Sequence, residues 1–314
     1  MSSTATNATT PHYPAGYIPD YPRLVKWDSL PAAYIYMTLA LIMTLTTLRN
    51  LIFHAKTKHT KAVYIYLLFW CIFRFAAFAM RAYALSDNHG ENYSTYTSTQ
   101  IVLSIGFMPL AEVLTFNIAE ASTLIYELGH RTYVRIRVLI MICFVTFGTC
   151  ITAFVIDFTL NKPFGSNAKS FTTDVVLREV GFNGLFLIVV YTFFAGMRNA
   201  VAVGRTKHIP VEFVKRVRGM MWIVVGQSAL MIVKMVYITY RNWNPSEFRE
   251  EGWWYALSIT PEYLYMLVFL THGWLDVYDD VEGVLGEDGR ESPTEQRVWR
   301  RGRRMARKNG FLQF

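Results

Sequence analysis

A chain of 314 residues that is 53% hydrophobic, 16% aromatic and only 17% charged has little polar sequence with which to cover an aqueous surface. Its +8 formal charge lies mostly in short connections and a terminal run with no nucleic-acid-binding motif beside it, which excludes a nucleic-acid partner and makes the charge a record of topology. Cys71, Cys143 and Cys150 all fall within apolar stretches, so none ties outer loops together, and they read as small core residues.

The chain opens with a tail over residues 1–30 that carries the sequon Asn7-Ala8-Thr9 and has no charged segment leading into an apolar core, so no cleaved signal peptide is expected. The first apolar run, Pro31 to Phe53, is then expected to insert uncleaved. Further runs follow at Ala62 to Leu85, Ile101 to Tyr126, Val138 to Leu160, Val175 to Met197, Gly219 to Tyr240 and Trp253 to Leu275. Each approaches the ~20 residues that a helix needs to cross a hydrocarbon core of ~30 Å. The expected fold is an all-α membrane protein whose seven transmembrane helices occupy residues 31–275, followed by a tail over 276–314.

Orientation follows from the connections, because short loops rich in Lys and Arg stay cytosolic. The first, third and fifth hold Lys56, Lys58 and Lys61; Arg131, Arg135 and Arg137; and Arg198, Arg205, Lys207, Lys215, Arg216 and Arg218. The alternate ones hold only Lys162, Lys169, Arg241 and Arg249. This places the N-terminus outside and the C-terminus in the cytosol. Asn92-Tyr93-Ser94, like Asn7, then falls on the outer face, and both are expected glycosylation sites, whereas Pro245 blocks Asn244. The tail turns from acidic, around Asp279 to Glu291, to basic, from Arg297 to Lys308, a pattern suited either to anionic headgroups or to solvent.

Chemistry within the bilayer has to come from ionisable groups in the spans, since each costs at least ~2.5 kcal/mol on insertion scales and normally has a partner. Arg74 and Glu112 lie at matching depth on the second and third spans. Asn117 and Glu120, three residues apart, share a face of the third, where Glu120 meets no evident cation. Lys234 on the sixth span can reach Glu262 on the seventh, next to Pro261, which opens the backbone ladder. Arg81, Asp157, Arg178 and Glu179 lie near span ends and are expected to reach water by snorkelling. These groups are either interhelical ion pairs or the lining of a polar cavity.

Other chemistries lack their residues. The seventh span has no central Lys for a retinal Schiff base, His272 alone cannot form a metal site, and Ser104, Ser122, Ser228 and Ser258 have no His partner. No catalytic residue, metal or cofactor is expected, and the chain does not read as an enzyme.

The end of the third span, Ala121-Ser122 leading to Tyr126-Glu127-Leu128-Gly129-His130-Arg131, resembles a motif of the fungal lipid-translocating exporters, the seven-helix family named for resistance to 7-aminocholesterol. The resemblance continues through Lys234 to Arg241, then Glu247, Glu251, Gly252, Tyr255, Pro261 and His272-Gly273. Ser258 stands where that family usually has an acidic residue, and Gly273-Trp274 replaces its Pro-Gly exit. Trp70-Cys71-Ile72-Phe73-Arg74 and Pro261-Glu262 are also similar to the tobamovirus-multiplication-like seven-helix proteins.

The first resemblance implies translocation or sensing of amphiphilic lipids, such as sphingoid bases or sterol-like amines, at a plasma membrane. Membrane lipids and an amphiphilic small molecule would be the partners, with Glu112, Glu120 or Glu262 receiving the amine. A receptor-like protein using the basic Arg198 to Arg218 connection for a cytosolic partner, or a membrane scaffold, is the alternative.

Overall fold

The first two helices begin where a hydroxyl can serve the free N–H groups of a first turn. The computed structural model describes residues 27, 29–86, 93–126, 130–160, 168–206, 211–243 and 251–271, and among these there is helix and no strand. α1 (Leu30–Phe53) starts at Ser29, whose Oγ accepts the Ala32 N–H at 3.2 Å, with Pro31 in the first turn where its missing N–H costs nothing. α2 (Lys58–Leu85) starts at Thr57, which accepts from Thr60 N–H at 3.2 Å.

α3 (Tyr93–Ile105) and α4 (Met108–Tyr126) form one apolar passage interrupted at Gly106 and Phe107. The sequence pattern gives a single uninterrupted span there, and the interruption has two local causes. A Cβ on Gly106 would lie 2.8 Å from the Val102 carbonyl and 3.2 Å from Arg74 Nη1, so only glycine fits. Pro109, in the first turn of α4, is placed to start a helix but not to continue one.

α5 (His130–Leu160), α6 (Ala168–Ala202) and α7 (Val211–Trp243) are longer than the apolar runs that mark them, because their ends continue into polar sequence. A 3₁₀ turn, Val203–Arg205, closes α6.

The last run is continuous in path but mixed in geometry, with α8 (Glu251–Trp254), a π-helical turn (Tyr255–Ile259) and α9 (Thr260–Leu270). Pro261 supplies no N–H to the preceding turn, and the Thr260 hydroxyl donates to the Tyr255 carbonyl at 2.9 Å where the α-helical ladder loosens.

Among the described residues six helical stretches are long and apolar enough to cross a membrane: Leu30–Phe53, Lys58–Leu85, Ser94–Tyr126, Thr132–Ala153, Val176–Arg205 and Val214–Arg241. α4 sits at the centre, packed by α2, α5, α6 and α7, while α9 lies against α7 and α1. The core holds Trp70, Phe78, Phe107, Leu114, Tyr265 and Phe269, all without solvent access.

The periphery is apolar as well. Ile35, Leu45 and Ile52 on α1, Leu139 and Val145 on α5, and Leu187, Tyr191 and Phe194 on α6 are each more than half exposed. An apolar surface of that extent is compatible with a hydrocarbon environment. Hydroxyls on these faces bond inward, Thr38 to Tyr34 O at 2.9 Å, Thr46 to Ile42 O at 2.9 Å and Thr149 to Val145 O at 2.7 Å, so none needs water.

Asn7, Asn92, His272, the tail over 276–314 and the side chain of Asp157 lie outside the described residues.

Candidate functional site

Three polar layers cross the helix bundle. The first lies at the end bearing Ser29 and Ser86. Arg81 of α2 forms an ion pair with Glu251 at the start of α8, and the Ser29 N–H donates to the other Glu251 oxygen at 2.7 Å. The guanidinium also lies 4.2 Å from the Trp27 ring centroid and 4.5 Å from that of Trp254. Arg81 therefore does not snorkel, as its place near a span end had implied. Rings close over it and leave it no exposed surface.

The second layer is the most enclosed. Glu262 of α9 has no solvent access and accepts four hydrogen bonds from side chains on two other helices. Arg74 grips it in a fork, Nε to Oε2 at 2.6 Å and Nη2 to Oε1 at 2.7 Å, Trp70 Nε1 donates to Oε2 at 2.7 Å, and Lys234 Nζ donates to Oε1.

The remaining donors find backbone that the helix interruptions release. Arg74 Nη1 donates to the Leu103 carbonyl at 3.1 Å, just before the Gly106 break, and Lys234 Nζ reaches Ser258 Oγ at 3.1 Å and its carbonyl at 3.4 Å within the π turn. Each departure from α-helix thus supplies an acceptor to one of the buried cations. With two cations and one carboxylate, the layer carries one formal positive charge in excess.

This arrangement replaces the pairing suggested by depth alone. Arg74 does not meet Glu112, and a Glu262 filled by three partners has no lone pair directed at a visiting amine.

The third layer, toward the end bearing Thr57 and Tyr126, holds both α4 carboxylates. Tyr66 neighbours Glu112 and Tyr133 neighbours Glu120, while Arg137 of α5 acts electrostatically on both. His59 bridges the adjacent helix: Nε2 lies 3.2 Å from Asn117 Oδ1, Nδ1 lies 3.8 Å from Glu120 Oε2, and its ring stacks on Phe116 at 4.4 Å.

Arg137 covers the Phe116 ring at 4.1 Å and touches the Tyr133 hydroxyl at 3.5 Å. Glu120 therefore has cationic or ionisable neighbours that the third span alone does not reveal. Asn117 is buried, whereas Glu112 is partly exposed and the Glu120 side chain is 25% exposed, so both carboxylates are reachable.

α2 and α5 both pack against α4, the helix that carries Glu112 and Glu120. Eight residues separate the two, roughly 12 Å along a helix rising 1.5 Å per residue. Among the described residues Arg137 is the one permanent cation that acts on both, against two carboxylates, with the ionisable His59 beside Glu120.

Away from the layers, Arg178 and Glu179 pair at 3.2 Å on partly exposed α6 surface. Cys71, Cys143 and Cys150 are free thiols, Cys71 lying 3.7 Å from Thr47 Oγ1. Ser122 accepts from Asn199 Nδ2 at 2.9 Å, joining α4 to α6. Among the described residues no group of His, Cys, Asp and Glu is placed to hold a metal ion. His59, Tyr66, Trp70, Tyr133 and Arg137 are members of these layers that sequence reasoning misses. For Tyr66 and Tyr133 the one legible signal is a polar tip within a helical turn or two of a basic residue.

Compared with protein-family models, with curated proteins and with solved structures, the chain matches none.

Proposed function

We propose that the chain is a seven-helix protein of the plasma membrane, N-terminus outside and C-terminus cytosolic, that translocates or senses amphiphilic lipids bearing an amine, of the sphingoid-base or sterol-like class, and so protects against toxic members of that class. The run from Glu251 onward supplies the seventh passage, and the uneven distribution of Lys and Arg supports the orientation.

The observation that carries the reading is the third polar layer, where α2 and α5 pack against α4. It holds two reachable carboxylates against one permanent cation, beside helix faces already suited to hydrocarbon. An amine headgroup completes the charge of this layer, while its chain lies along exposed Ile65 and Phe69 of α2 and Val138 and Leu139 of α5. Similarity of the third- and seventh-span motifs to the lipid-translocating exporters points the same way.

Vesicles containing the purified full chain and a fluorescent sphingoid base test this. Protein-dependent movement between leaflets should fall at least about tenfold in Glu112→Gln and Glu120→Gln, the effect of removing a charged partner. Wild-type movement in both variants removes amine recognition. Saturable binding without movement, lost in the same variants, selects sensing over translocation. Amine-dependent recruitment of a cytosolic protein to the Arg198 to Arg218 connection would instead make the chain a receptor.

A further inference from the structure

A separate cleft of about 630 Å³ opens where α4 and α6 end, lined by Ile125 and Tyr126 on one side and by Met197, Arg198, Val201 and Arg205 on the other. The Asn199–Ser122 hydrogen bond fixes the spacing of the two helices beside it. Arg198 stands over the Tyr126 ring at 5.2 Å, and neither Arg198 nor Arg205 forms an ion pair among the described residues. A third cation adjoins them. The Arg218 guanidinium of α7 occupies the space beside Gly204, which a Cβ at that position would fill.

The apolar side of the cleft continues outward. Leu187, Tyr191, Phe194, Met197 and Val201 are all exposed and follow one another at helical spacing along α6, a hydrocarbon-compatible track that ends at Arg198 and Arg205. A guanidinium presents a planar fork matched to phosphate oxygens, and one positioned where an acyl-chain track meets the headgroup level is suited to a lipid phosphate.

We infer that this cleft binds an anionic phospholipid ending in a phosphate monoester, its phosphate held by Arg198 and Arg205 and its acyl chain laid along Val201, Met197 and Phe194. A headgroup dianion matches two cations better than the single charge of a phosphodiester. The site lies between α4 and α6, shares no lining residue with the Glu112 and Glu120 layer, and is independent of the amine reading.

Native mass spectrometry of the full chain, titrated with phosphatidic acid, tests the inference. Retention should exceed that of phosphatidylcholine of the same chains and fall at least about tenfold in the Arg198→Gln/Arg205→Gln double variant, with less than about twofold change in Lys58→Gln/Lys61→Gln, which removes as many exposed charges elsewhere. Arg198→Lys/Arg205→Lys keeps the charge but loses the fork and should fall between, so a double Gln variant that fails to fold does not decide the matter.

Equal loss in the two Gln pairs, or equal retention of phosphatidylcholine, overturns the site. Displacement of phosphatidic acid by millimolar glycerol phosphate would assign the cleft to a free phosphate and overturn the lipid as its source.

Discussion

Arg74 and Glu262, 188 positions apart in sequence, meet through two parallel hydrogen bonds of 2.6 and 2.7 Å with neither side chain reaching solvent. A charge pair so enclosed is retained only when its leftover donors are also served. Here the Leu103 carbonyl accepts from Arg74, and Trp70 and Lys234 donate to the remaining lone pairs of Glu262.

Removing one partner strands the others. Glu262→Leu leaves Arg74 and Lys234 facing each other in a dry interior and should cost about 3–5 kcal/mol, seen as a large drop in the melting temperature of detergent-solubilised protein. Adding Arg74→Met and Lys234→Met should recover most of that loss. A triple variant no better than the single one would show that the layer has no net electrostatic cost to relieve.

Trp70→Phe keeps the ring in place but withdraws one donor from Glu262. The expected loss is about 1–3 kcal/mol, smaller than that of Glu262→Leu, by the same thermal measurement.

Gly106→Val places a branched side chain against the Val102 carbonyl and Arg74 Nη1. A cost of about 1–3 kcal/mol is expected from overpacking, together with coupling to Arg74 in a double-mutant cycle. Additivity of Gly106→Val with Arg74→Met would separate the helix break from the guanidinium.

Arg137 competes with any amine for Glu112 and Glu120. Its replacement by Gln should tighten amine binding by about three- to tenfold, opposite in sign to Glu120→Gln, as equilibrium binding of a sphingoid base will show. Weaker binding in Arg137→Gln would indicate that the arginine itself contacts the ligand.

The proposed orientation places Asn7 and Asn92 on the glycosylated side. Enzymatic deglycosylation should shift the mobility of the expressed chain, and the double Asn→Gln variant should show no shift. A sugar that persists in the double variant would have to be attached elsewhere.

The positions of the helices are legible in the sequence because length and apolarity decide them. Arg74, Lys234 and Glu262 are legible as costly groups within apolar runs, but their partners are not. Arg74 lies level with more than one carboxylate, and the choice depends on helix rotation. A π turn beside Pro261 accompanies the rotation that brings Ser258 and Glu262 to Lys234, and the break at Gly106 releases the Leu103 carbonyl to Arg74. Neither irregularity is encoded in periodicity. Arg81 reads as a span-end charge and Arg137 as a loop charge because sequence gives their depth but not the aromatic rings of Trp27, Trp254 and Phe116 that cover them.

The long sequence separation within the enclosed cluster has a consequence for biosynthesis. Arg74 emerges from the ribosome well before its carboxylate exists, and Lys234 precedes that carboxylate by 28 residues. Until the last helix arrives, the nascent protein holds Arg74 and Lys234 without the carboxylate that both meet in the folded bundle. That makes the final segment the checkpoint of assembly, and a chain ending before it carries the kind of intramembrane charge that quality control removes.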